Sequence, residues 1–283
     1  MKKHLTKGAK AAVLAPLLFV GVSITLNLFS PGTSLAALHF LRPFVSALLL
    51  LPFVAFTDPK TLKPTKGDIP IYLAVGFALA ASMAAFNTAM ISAPVGTMTL
   101  LSNSVIFMVI GLSYMFLKEK VTRREVIACA IAFVGLVIIN PLEPTHAFGT
   151  VLILASALTY AIAIIIIRKE ERDHSIGIAF WYLLFASAFL FPFAATAGFG
   201  GLENSIGLVV LLGAFNGFAY LTKTYALKYE TVDLVQVIAL VASPITAIIF
   251  GFILLGQSLT ANVLIGGAIM MAAGLVISKE LFT

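Results

Sequence analysis

Long apolar stretches cut this 283-residue chain into about ten segments, and the basic residues between them are sorted. The stretches run roughly over 9–28, 34–56, 69–91, 94–117, 121–139, 149–167, 175–195, 205–227, 231–255 and 259–278. Each approaches the roughly 20 residues that a helix needs to cross about 30 Å of hydrocarbon. Of the connecting links, the first, third, fifth, seventh and ninth contain no Lys or Arg. The tails and the even links hold all but two of the 18: Lys2, Lys3, Lys7 and Lys10; Lys60, Lys63 and Lys66; Lys118, Lys120, Arg123 and Arg124; Arg168, Lys169 and Arg172; Lys228; and Lys279. Basic residues resist crossing a bilayer during insertion and collect on the cytoplasmic side. The alternation therefore predicts an even number of spans and both termini in the cytoplasm, in a plasma membrane of the bacterial inner-membrane kind. Two cations, Arg42 and Lys223, are left inside apolar stretches.

Composition agrees. The chain is 60% hydrophobic and 11% charged, with a mean hydropathy of +1.07, more apolar surface than a soluble fold of this size can hide. Backbone groups in lipid must be paired internally, and the short alternating segments of a barrel are missing, so the spans are predicted helices. The net charge of +6 comes from the links, not from one basic patch, which argues against nucleic-acid binding. A single cysteine, Cys129, excludes an intrachain disulfide and a Cys-based metal site. No phosphate loop, HExxH or recognisable Ser/His/Asp set occurs, so neither an enzyme nor a cofactor is expected. The start resembles a signal peptide, but its apolar stretch is long for one, and the repeat below needs that stretch as its first span.

The two halves echo each other. Leu51-Pro52-Phe53-Val54-Ala55 falls on Phe191-Pro192-Phe193-Ala194-Ala195, Val75-Gly76 on Leu212-Gly213, Val121-Thr122 on Leu259-Thr260, and Gly135-Leu136-Val137-Ile138 on Gly274-Leu275-Val276-Ile277. The shift stays near-constant along the chain. Five spans is an odd number, so a second copy must insert upside down. The predicted fold is an all-α integral membrane protein of ten transmembrane helices, arranged as two inverted five-helix repeats (1–144 and 145–283) around a central cavity.

The runs LKEKVTRREVIACAIAFVGLVII at 117–139 and LGQSLTANVLIGGAIMMAAGLVIS at 255–278 resemble the end-of-repeat signature of EamA-type proteins, in the drug/metabolite transporter superfamily. The context of Arg42, HFLRPFVSALLLLPF, is similar to that family's second span. Lys118 and Gln257 stand where the family favours Gly and Glu. The resemblance implies ten helices around a cavity lined or supported by spans one to four and six to nine. It also implies that spans five and ten pack at the side, often as a homodimer contact. Ala128 and Ala132 in span five, and Gly267, Ala268 and Ala272 in span ten, allow close helix approach, within one subunit or between two.

Several residues are candidates for cargo chemistry. Arg42 lies near mid-depth, where a cation costs about 3 kcal/mol on insertion scales. It either clamps a substrate carboxylate or phosphate with its planar fork or ties backbone carbonyls beside Pro43. Lys223 either snorkels or pairs with Asp233 as a gate. Asn103, Asn216 and Gln236 are amides at depth, and Tyr160, Trp181, Tyr182 and Tyr220 offer cavity walls with polar tips. Tyr182 is the repeat counterpart of Arg42. No Asp or Glu lies near the bilayer centre. The expected partners are the lipid bilayer and a small-molecule substrate, an anionic or zwitterionic metabolite such as an amino acid, moved by alternating access. The alternatives are an exporter of hydrophobic drugs, which would want a central carboxylate, and a non-transporting scaffold or lipid-handling subunit.

Overall fold

A computed structural model describes residues 6–29, 32–89, 101–139, 147–171, 177–203, 205–256 and 260–281. Lys2, Lys3, Arg172 and Gln257 lie outside them. The described residues form ten α-helices and no strand: α1 (Lys7–Asn27), α2 (Leu35–Thr57), α3 (Asp68–Ala89), α4 (Val105–Leu112, running into a π-helical turn at Ser113–Leu117), α5 (Arg123–Ile139), α6 (Ala147–Glu171), α7 (Ile178–Ala197), α8 (Ile206–Tyr229), α9 (Val232–Leu255) and α10 (Ala261–Leu281).

Seven of these helices are long and apolar enough to cross a membrane, and two shorter apolar ones span Leu101–Leu117 and Ala261–Val276. Ten such spans were expected. The difference has a local origin: α5 opens on Arg123, Arg124 and Glu125, which dilute a 17-residue helix, and the two shorter helices abut segments outside the described residues.

Local chemistry sets the helix ends. Thr6 caps α1 by accepting from the Ala9 amide at 2.9 Å, Ser34 caps α2 from Ala37 at 3.3 Å, and Thr231 caps α9 from Leu234 at 3.4 Å. Thr122 and Glu125 form a reciprocal capping box at α5, with backbone-to-side-chain bonds of 2.6 and 3.2 Å. Gly256 ends α9 in the left-handed conformation at φ 63°. Pro16, Pro43, Pro52, Pro192 and Pro244 lie inside helices, each removing a backbone donor.

Polarity is reversed relative to a soluble domain. His39, Ser46, Asn216, Lys223, Asp233 and Gln236 are buried, whereas Phe56, Phe193, Ile253 and Leu275 are exposed. Such a surface suits lipid.

The halves interleave. Helix α1 packs on α8 and α9; α3 packs on α6 and α7; α2 packs on α7 and α8; α4 packs on α6; and α5 packs on α10. Glycines allow the closest approaches. A Cβ on Gly76 would stand 2.6 Å from Phe185 Cβ on α7, and one on Gly213 would stand 2.4 Å from Val45 Cγ1 on α2. Gly135 and Gly266 let α5 and α10 touch backbone to backbone, each added Cβ meeting the other's carbonyl oxygen at 2.7 and 2.6 Å. Ala128 and Ala132 are fully buried within the subunit, while Ala268 and Ala272 are exposed on α10.

Candidate functional site: a cationic cavity

A cavity of about 640 Å³ runs between α1, α2, α3, α4, α6, α8 and α9. At one end its wall includes the exposed residues Asn27 and Leu35, which flank the cation-free link between α1 and α2. At the other end the wall is buried, at Ala12, Lys223 and Val235. The mouth therefore lies on the face of the cation-free links, and the floor lies toward the basic links.

Arg42 is on the wall, projecting from α2 one residue before Pro43. Its Nε is buried and has no hydrogen-bond partner, and Tyr160 and Tyr220 line the same hollow. Lys223, on α8, donates to the Tyr160 hydroxyl at 2.9 Å and lies 5.9 Å from the Phe19 ring centroid. Phe19 meets Tyr220 edge-on at 5.1 Å, so both cations border one aromatic wall.

Three amides add polar edges. Asn216 donates from Nδ2 to Ser46 Oγ at 2.9 Å, and its Oδ1 is buried without a partner. The same serine hydroxyl lies 2.6 Å from the Arg42 carbonyl and 2.8 Å from that of Gly213, tying α2 to α8. Gln236 lines the floor on α9, its Nε2 also buried and unpartnered. Asn103 lines the wall on the α4 side. Buried polar groups without partners are few in native folds and call for an explanation. Here an unmatched acceptor and two unmatched donors, one on a guanidinium, belong to residues of one hollow.

Six of the eight predicted substrate residues thus share the cavity: Arg42, Asn103, Tyr160, Asn216, Tyr220 and Gln236. Trp181 and Tyr182 are not among its lining residues, which corrects the sequence expectation. Trp181 donates from Nε1 to the Thr61 carbonyl at 2.7 Å and stacks near Tyr72, bracing the link between α2 and α3. The Tyr182 hydroxyl pairs with Thr224 at 2.6 Å inside the bundle. The α2–α3 link holds Trp181 and Thr224 on α8 holds Tyr182.

The expected Lys223–Asp233 gate is also not formed. Lys223 joins the cavity, while Asp233, in the first turn of α9, is fully buried and accepts from Ser113 at 3.4 Å. On the side of the basic links, Arg168 donates to Glu119 at 2.9 Å and Thr6 bonds Glu230. Sequence reasoning also missed a hydroxyl pair on the wall, Ser82 and Ser156, 3.0 Å apart.

No Asp or Glu is among the lining residues of the described cavity. Nor do the described residues group three metal-ligating side chains.

Comparison with known proteins bears on what the cavity serves. The model of the EamA-like transporter family matches the chain twice, over residues 6–140 and 147–279. An uncharacterized transporter of Archaeoglobus fulgidus is 29% identical over 275 residues, covering 96% of this chain and 97% of the relative. An S-adenosylmethionine uptake transporter of Rickettsia bellii is 27% identical, covering 62% of this chain and 60% of the relative. The pseudopaline exporter CntI of Pseudomonas aeruginosa is 25% identical, covering 97% of each chain. A solved crystal structure superposes with a TM-score of 0.79 over 97% of this chain and 96% of its own; at 15% identity that likeness concerns the fold alone.

Proposed function

The chain belongs to the EamA-like transporter family and is a multi-pass membrane transporter, not an enzyme; from that premise we propose that it carries a small anionic or zwitterionic metabolite by alternating access. One observation supports this cargo above the rest: among the described residues, the cavity wall bears Arg42 and Lys223 and no acid. A cation without a facing carboxylate is expensive in such a site, and an anionic cargo supplies that countercharge. An amino acid illustrates the fit. The Arg42 and Gln236 side chains offer donors suited to its carboxylate, and the Asn216 amide oxygen offers an acceptor suited to its ammonium. Asn103, Tyr160 and Tyr220 read the remaining edges.

The reading of inverted repeats, 1–144 and 145–283, rests on packing. Exchange the first five helices for the second five, and the pairings map onto themselves: α1 with α8 becomes α6 with α3, α2 with α8 becomes α7 with α3, and α1 with α9 becomes α6 with α4. Helix pairs α2–α7 and α5–α10 map onto themselves. The repeat partners Gly76 and Gly213 meet equivalent positions, Phe185 and Val45. A doubled unit of this kind opens a central site to each side in turn. In the orientation proposed from the basic links, termini in the cytoplasm of a bacterial inner membrane, the cavity faces outward. The outer side of α10, with Ala268, Ala272 and Leu275 exposed, is the proposed homodimer contact.

An exporter of hydrophobic cations would need an acid in the cavity, and a scaffold would need no cavity. Counterflow in proteoliposomes separates these readings. A radiolabelled amino acid or carboxylate from a metabolite panel should exchange against its unlabelled form, and ethidium should not. Exchange of ethidium alone contradicts the cargo class, and no exchange with any member of the panel supports the scaffold.

A further inference from the structure

One side chain holds together the face opposite the cavity mouth. Arg168, near the end of α6, is 7% exposed. Its Nε donates to Glu119 Oε1 at 2.9 Å, and its Nη1 donates to the Leu227 carbonyl on α8. Glu119 Oε2 accepts in turn from the Val232 amide at 3.0 Å and from the Ser113 hydroxyl at 3.2 Å. Val232 is the first residue of α9. The guanidinium therefore ties α6 to α8 and to the link between α4 and α5, and Glu119 carries the tie on to α9. These elements must part if the cavity is to open on this side. Gln236, on the cavity floor, lies one helical turn beyond Val232, so the clasp and the floor share a helix.

The charge around the clasp is unbalanced. Asp233 is fully buried; its Oδ2 has only the long 3.4 Å contact from Ser113, and its Oδ1 has no partner. The charged groups facing this corner are Glu119 from the α4–α5 link, Glu125 from α5 and Arg168 from α6, and both glutamates act electrostatically on Asp233. Glu125 is 3% exposed. Of these carboxylates only Glu119 is bonded to the guanidinium. Arg168 answers Glu119 directly, while Asp233 is crowded by like charge and shielded from water. Opening this face would hydrate Asp233 and relieve the repulsion.

We propose that the Arg168–Glu119 clasp is the gate of the basic face and that Asp233 is the group that works against its closure. The two terms oppose each other: the bridge favours the closed state, and the Asp233 carboxylate, with one oxygen lacking a partner, favours the open one. A transporter needs both states populated. A clasp with no opposing term would hold the cavity on one side.

Thiol labelling reads the gate without any cargo, so its result is independent of the cargo assignment. The native Cys129 is buried. In a Cys129→Ser background, Leu227→Cys places a reporter under Arg168, at a side chain 1% exposed and not on the cavity wall. The rate of reaction of the purified protein with a charged maleimide then follows opening of this face. Arg168→Gln should label at least tenfold faster than the background. Asp233→Asn should label at least threefold slower, because it keeps the shape and the acceptor for Ser113 but removes the repulsion. The double variant should fall between the two. Background-rate labelling in a folded Arg168→Gln protein would overturn the gate. Equal or faster labelling in Asp233→Asn would overturn the opposing role. If Arg168→Gln melts too low to assay, Arg168→Lys, which keeps the charge but loses the two-pronged grip, should label faster than background; a background rate there overturns the gate as well.

Discussion

Arg42 and Lys223 enter the same hollow but are held differently. Lys223 has a phenol partner, Tyr160 at 2.9 Å, whereas the Nε of Arg42 has none. Removing Lys223 should therefore leave a buried hydroxyl in need of water. Lys223→Ala and Tyr160→Phe should be non-additive in melting experiments, with a coupling of about 0.5–3 kcal/mol, as for groups in direct contact. Lys223→Ala and Asp233→Ala should add within about 0.5 kcal/mol, because the two side chains are not paired; a large coupling between them would restore the gate expected from sequence. Ser46 is the other residue with a sharp consequence. Its hydroxyl serves the Asn216 amide and two backbone carbonyls, so Ser46→Ala should destabilise by about 1–3 kcal/mol through the partners left unmatched.

At the scale of helices, the close crossings rest on residues without side chains. Gly213→Leu would drive a branched chain into Val45 and Ser46 on α2, and Gly76→Leu would do the same to Phe185 and Ala186 on α7. Each should cost at least the 1–3 kcal/mol typical of overpacking, read as a lowered melting temperature in detergent. Prolines break the helical hydrogen-bond ladder beside the cavity: Pro16 lines it on α1, and Pro244 follows the cavity residue Ser243 on α9. Pro244→Ala should leave the protein folded and slow transport if that break serves as a hinge. Helices of this kind are legible from sequence because lipid enforces length and apolarity one segment at a time. The two buried cations are legible for the same reason, since a charge inside an apolar run stands out against its neighbours. Side-chain direction is not. Tyr182 occupies the repeat position of Arg42, yet equivalence of position carries no equivalence of partner, and Thr224 captures its hydroxyl. The Ser82–Ser156 pair and the Arg168–Glu119 bridge join residues far apart in the chain. Serines in a helix and charges at a span end look ordinary until the fold brings them together; the sequence pairs Asp233 with the nearby Lys223, and the fold pairs it with Ser113.

For the molecule as a whole, the basic links and the cavity mouth lie on opposite faces, and the wall between them is positively charged. Tags at the two termini should react with an impermeant reagent from the same side of the membrane; opposite sides would contradict the proposed orientation and the even number of spans. The central claim is that the cation on α2 receives the cargo. Purified protein screened by thermal shift against a panel of metabolites, and again as Arg42→Ala, tests it most directly. The account predicts that stabilising compounds carry a carboxylate or phosphate, and that Arg42→Ala weakens them by about 10- to 100-fold, the loss of one charge-assisted contact of 1.5–3 kcal/mol. Carboxylate hits that bind the variant undiminished, or hits confined to organic cations, would contradict it.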